Sequence, residues 1–178
     1  MTHTREFGIT VYGATGYTGR LICEYLHQRY GVDGEVKWAM AGRSRAKLEA
    51  VRDEMGIPAG VPLVIADADD LSSIKSMVVN TKVVLTTVGP YQLYGSELVA
   101  QCAAAGTDYV DLCGEPGWMH QMIAQHQEAA KASGARILFS CGFDSIPFDL
   151  GVLFLQEAAK QRFGAPVARV KGRVRVMK

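Results

Sequence analysis

The chain has 178 residues, 48% of them hydrophobic, and 19 Lys and Arg against 18 Asp and Glu leave a net charge of +1. So small a charge gives no general electrostatic reason to expect nucleic acid, and no apolar run approaches the roughly 20 residues a bilayer span requires. The four cysteines, Cys23, Cys102, Cys113 and Cys141, form no C-x-x-C pair and read as reduced thiols rather than a disulfide frame or a metal site, and the start lacks the apolar core of a signal peptide, so a cytoplasmic protein is expected.

Residues 7–12 form an apolar run that reads as a buried strand, and residues 20–26 have helical periodicity. Between them stands Gly13-Ala14-Thr15-Gly16-Tyr17-Thr18-Gly19. Strand, glycine turn and helix together make an entrance for a dinucleotide. Gly13 permits the tight turn, Gly16 lets the backbone approach a pyrophosphate, and Gly19 lets the helix pack close to the sheet. Thr15, Tyr17 and Thr18 are placed to add backbone or side-chain contacts, with the positive end of the helix facing the phosphates. The spacing is G-x-x-G-x-x-G rather than the commoner G-x-G-x-x-G.

A second strand over residues 36–41 is expected to end beside the adenosine ribose. An NAD enzyme places an acidic residue there to accept from the ribose hydroxyls. This chain has Gly42-Arg43-Ser44 instead, with Lys47 one turn into the following helix, residues 45–55. A guanidinium pairs bidentately with a phosphate, and a carboxylate repels it. Arg43 and Ser44 therefore point to a 2′-phosphate, and NADP is expected over NAD.

Strands and helices go on alternating: a strand at 61–66, a helix at 71–79, a strand at 82–88, a helix at 96–105, a strand at 109–112, a helix at 119–132 and a strand at 136–140. That order predicts an α/β fold, a doubly wound Rossmann-type parallel sheet with helices on both faces and ligands along its carboxyl edge. The loops on that edge carry the remaining candidates. Asp67 can accept from the adenine amino group, while Asp69 and Asp70 suit helix capping. Gly89 and Pro90 form a small rigid loop beside the nicotinamide half, where Tyr91 or Tyr94 can wall the ring. Glu115 reads as a proton donor, a substrate contact or a stabiliser of a helix N-terminus. Ser145 or Asp144 can cap a further helix with Pro147 in its first turn. No residue stands out as the catalytic acid, and Tyr91 and Glu115 are the two candidates to test.

From Arg169 to Val176, basic residues alternate with Val170, Gly172, Val174 and Val176, the period of a strand with one apolar face. Such a face needs partners, so residues 1–150 read as an NAD(P)-binding Rossmann domain, and 151–178 as a connecting helix and the first strand of a truncated second domain.

Five segments occur in order: Gly13 to Gly19, Ala41-Gly42-Arg43-Ser44, Val88-Gly89-Pro90-Tyr91, Tyr109-Val110-Asp111-Leu112-Cys113-Gly114-Glu115, and Gly142-Phe143-Asp144-Ser145-Ile146-Pro147-Phe148-Asp149. Together they resemble the N-terminal domain of the saccharopine dehydrogenase-like oxidoreductases, a group that includes trans-acting enoyl reductases of mycobacterial lipid synthesis. The resemblance implies NADPH as cofactor and hydride transfer to a C=C or C=N bond of a small-molecule, lipid-like substrate. It also implies a second domain that shapes the substrate site and forms a homodimer. A non-catalytic NADP-binding sensor or scaffold module is the competing expectation.

Overall fold

A computed structural model describes residues 4–175. Six strands form one parallel sheet: β1 (Phe7–Tyr12), β2 (Trp38–Gly42), β3 (Leu63–Ile65), β4 (Thr81–Thr86), β5 (Asp108–Val110) and β6 (Ile137–Leu138). Their order is β3-β2-β1-β4-β5-β6. The order reverses between β1 and β4, which are joined in register from Phe7 opposite Thr81 to Tyr12 opposite Thr86. At such a reversal the connections leave the sheet in opposite directions, and a crevice opens at the carboxyl ends.

The helices are α1 (Tyr17–Tyr30), α2 (Arg45–Glu54), α3 (Leu71–Val79), α4 (Tyr91–Tyr94), α5 (Ser96–Ala105), α6 (Pro116–Ser133) and α7 (Ile146–Phe163). Two apolar cores show that the sheet is covered on both faces. On one, Cys23 and Leu26 of α1 and Leu48 and Val51 of α2 pack on Val11 and Met40. On the other, α3, α5 and α6 bring Ile74, Met77, Leu98, Val99 and Trp118 against Tyr12, Val84 and Tyr109. Both faces being buried, β2 is apolar along its whole length instead of alternating.

Three expectations are corrected. The sixth strand shrinks from 136–140 to Ile137–Leu138, because Ser140 turns out of the sheet with φ 59°. The helix expected at 119–132 begins at Pro116, whose fixed φ suits a first helical position. Residues 169–175 are not a strand, since no described strand lies beside them to complete a hydrogen-bond ladder; Val176 lies outside the described residues. Helix α7 runs through position 150 and contributes to neither core, and Leu153, Phe154 and Phe163 on it are exposed.

Candidate functional site

At the switch point the carboxyl ends of β1, β2, β3 and β4 enclose a cleft of about 350 Å³. It is lined by Tyr12, Gly13, Thr15, Gly16, Gly42, Arg43, Asp67, Ala68, Asp69, Thr87, Val88, Gly89 and Tyr94. Of the sequence-expected residues it brings together Gly13, Thr15, Gly16, Arg43, Asp67, Gly89 and Tyr94, while Tyr91 lies outside the lining. Tyr17 is 83% exposed and outside the lining, Thr18 lines a neighbouring cleft, and Gly19 is buried in the first turn of α1. Ser44 and Pro90 start helices beside the cleft without lining it.

The three glycines have separate causes. Gly13 adopts φ +91°, and a Cβ there would lie 2.6 Å from Thr87 Oγ1 and 2.9 Å from Val88 Cγ2. A Cβ on Gly19 would meet the Gly13 carbonyl oxygen at 2.2 Å. Both are fixed by the protein's own packing. Gly16 has φ −77°, open to any residue, and a Cβ there would meet its nearest neighbour at 3.4 Å. Position 16 thus has room for a side chain, unlike positions 13 and 19. No side chain caps α1 and its first turn holds no acid, leaving the positive end of the helix available to an anion. The residues therefore fit a diphosphate.

Arg43 follows β2, is exposed, and among the described residues enters no ion pair. Burial first, and then Asp67 and Asp69, push the Tyr12 hydroxyl up to about 12, while Arg43 pulls it down. The charges of both strand ends thus converge on one wall of the cleft. Ser44 caps α2 by accepting from the Lys47 N–H at 3.3 Å. Asp70, rather than Asp69, caps α3 by accepting from Ser72 at 3.0 Å. Asp67 Oδ1 accepts from its neighbour Asp69 at 3.2 Å, and its other oxygen stays free of hydrogen bonds among the described residues.

The two catalytic candidates are both held by structure. Both Glu115 oxygens accept backbone N–H groups, Tyr91 at 2.8 Å and Gln92 at 2.9 Å, so this carboxylate caps α4 from the next loop. The Tyr91 hydroxyl is buried, donates to the Thr86 carbonyl at 3.3 Å, and is pushed up to about 12 by burial. Both groups are engaged with the protein's own backbone. Ser145 stands at the start of α7 without a side-chain cap bond, and the turn closes instead through the Gly142 carbonyl.

Sequence reasoning missed Thr87, whose hydroxyl donates to the Gly13 carbonyl at 3.2 Å and ties the end of β4 to the glycine turn. It also missed Tyr12. Its position at the last residue of a strand feeding the glycine turn was the available signal. A second cleft, beyond β4, is lined by Thr18, Leu85, Val110, Leu112, Cys113, Ser140 and Phe143 among others.

Residues 9–138 match the family model described as the saccharopine dehydrogenase NADP binding domain. Trans-acting enoyl reductases of Mycobacterium ulcerans (strain Agy99) and Mycobacterium leprae (strain TN) are each 48% identical, over 88% and 83% of this chain. The chain spans 37% and 35% of the lengths of those two relatives. Apo saccharopine dehydrogenase (L-Glu forming) from Saccharomyces cerevisiae aligns with TM-score 0.58 and 14% identity, covering 89% of this chain and 32% of that one. Citrobacter sp. triphenylmethane reductase complexed with NADP(H) aligns with TM-score 0.55 and 17% identity, covering 85% of this chain and 56% of that one. At those identities the two structures bear on the fold alone.

Proposed function

The chain belongs to the family of saccharopine dehydrogenase NADP-binding domains, and from that premise we propose that it is the cofactor-binding part of an NADPH-dependent oxidoreductase that reduces an enoyl C=C bond. The observation that carries this reading is Arg43, an exposed guanidinium without an ion pair among the described residues, at the strand end where an NAD enzyme needs a carboxylate. The 48% identity to trans-acting enoyl reductases supports the C=C bond over C=N.

Gly13, Thr15 and Gly16, with the first N–H groups of α1, hold the diphosphate; Tyr17, Thr18 and Gly19 extend that turn. Arg43 pairs with the 2′-phosphate, and Ser44 orients the backbone beside it. Asp67 accepts from the adenine amino group. Gly89 and Pro90 border the nicotinamide half. NADPH, when bound, supplies the hydride, and the chain supplies position and charge. A small-molecule, lipid-like substrate enters from the carboxyl edge of β4 to β6. The apolar exposed face of α7 supports a join to a second domain, which also carries the homodimer contact.

The test is Arg43→Ala, titrated with both coenzymes. The loss of a charge-assisted contact weakens NADPH by about tenfold to a hundredfold, or about 1.5–3 kcal/mol, and leaves NADH unchanged. Equal losses for both would make Arg43 structural and remove the reading.

A further inference from the structure

Asp111 is 2% exposed, and neither the glycine turn nor Arg43 calls on it. It follows β5, and its carboxylate has three donors. Tyr109 donates its hydroxyl to Oδ2 at 2.7 Å, and Cys113 and Ser140 donate backbone N–H groups to Oδ1 at 3.0 and 2.8 Å. Cys113 belongs to the loop after β5, and Ser140 to the loop after β6. One carboxylate thus binds two loops that are adjacent in space and 27 residues apart in sequence.

Further bonds tighten the same junction. The Asp111 carbonyl accepts from the Cys141 N–H at 2.7 Å, and Ser140 Oγ donates to the Cys113 carbonyl at 2.7 Å. Ser140 sits at φ 59°, a conformation that costs a non-glycine residue energy and persists where its surroundings hold it. Glu115, from the loop after β5, reaches the other way to the N–H groups of Tyr91 and Gln92 in the segment after β4. Three successive loops on the carboxyl edge are therefore linked by two carboxylates. Burial raises the Asp111 carboxyl in spite of its donors. A neutral hydrophobic residue would close an ordinary core more cheaply.

The loops after β5 and β6 line the second cleft, which lies beyond β4 from the strand end that carries Arg43. We propose that Asp111 is a positioning residue that sets the β5 and β6 loops around the nicotinamide half of the coenzyme, leaving the adenosine half to the glycine turn and Arg43. This rests on the NADPH reading above. It predicts that the two halves of the site can be separated by mutation.

The experiment compares purified wild-type protein with Asp111→Asn, using two probes: NADPH and 2′,5′-ADP, which carries the adenosine half alone. The fluorescence of bound NADPH adds a readout of the nicotinamide environment. Asp111→Asn keeps the shape, removes the charge and replaces one acceptor oxygen with an N–H donor facing Tyr109. NADPH affinity should fall by about tenfold, as expected for disturbing a buried charge-assisted network. The fluorescence change on binding should shrink, and 2′,5′-ADP affinity should stay as in wild type. Unchanged NADPH binding, or equal losses for both probes, would overturn the proposal. Should wild type bind neither probe, the coenzyme reading fails and this one with it. Wild type binding 2′,5′-ADP while the variant shows no selective loss removes the role of Asp111 alone. If Asp111→Asn does not fold, Ser140→Ala carries the test. It cuts one loop-to-loop bond without disturbing the buried charge, and the same selective loss, smaller in size, is expected; its absence would overturn the proposal.

Discussion

A methyl group on Gly19 would sit 2.2 Å from the carbonyl oxygen of Gly13, whereas one on Gly16 would find its nearest neighbour at 3.4 Å. Gly19→Ala should therefore destabilise the protein by about 1–3 kcal/mol, read as a lowered melting temperature. Gly16→Ala should cost less, about 0.5–1 kcal/mol, because glycine is the better N-cap residue but no clash opposes the methyl group. Its effect falls on the coenzyme, with NADPH binding weakened by about tenfold or more as the backbone loses its close approach. A Gly16→Ala melt lowered as far as that of Gly19→Ala would show the glycine to be structural. The sequence could announce all three glycines because their spacing is local. It could not separate them, since the atoms that separate them, Thr87 Oγ1 and the Gly13 carbonyl, are known only once the chain is folded. Glu115 and Tyr91 illustrate the same limit. Their partners lie 24 and 21 residues away, in a neighbouring loop, so a plausible acid in the sequence became a helix cap in the fold.

The strand and helix order was legible because period and turn residues are properties of short windows. The ends were less so. Strands stop where a neighbour stops pairing, and β5 ends at Val110 and β6 at Leu138 because each is paired only that far. Arg136 and Asp108 fasten this short edge pair. Asp108 accepts from the Arg136 backbone N–H at 2.8 Å and from its Nε at 2.9 Å. Burial pulls the Asp108 carboxyl up, but the Arg136 bonds and charge, with Arg5, outweigh it and hold it below the usual range. A lowered folded-state value gives stability that is present above the ordinary aspartate range and lost as pH falls through the folded value. Asp108→Asn should therefore lower the melting temperature at pH 7 by about 1–2 °C, a small effect because the pair is solvent-screened. The gap between variant and wild type should close below about pH 4. A gap that persists in acid would mean that packing, not charge, holds the edge.

The whole molecule is a doubly wound sheet whose crevice lies where the strand order reverses between β1 and β4. Its parallel sheet and its helix-covered faces followed from the alternation of strands and helices and from right-handed crossovers, whereas the strand order and the make-up of the two cores come from the fold. The helix expected after Ser145, with Pro147 in its first turn, is present as α7; what did not follow was the strand expected beyond it. Helix α7 carries apolar residues that join neither core, and the alternating basic segment has no neighbouring strand among the described residues. A periodic pattern states which face of an element wants burial, and a separate partner decides whether burial happens. Because the coenzyme binds only the folded sheet, its affinity appears as stability of the whole. NADPH at about one hundred times its dissociation constant should add about 2.7 kcal/mol to unfolding and raise the melting temperature by several degrees. The most direct test is calorimetric titration of the folded protein with NADPH and NADH in parallel. A clearly smaller dissociation constant for NADPH is the expected result; equal constants, or no heat with either coenzyme, would contradict the account.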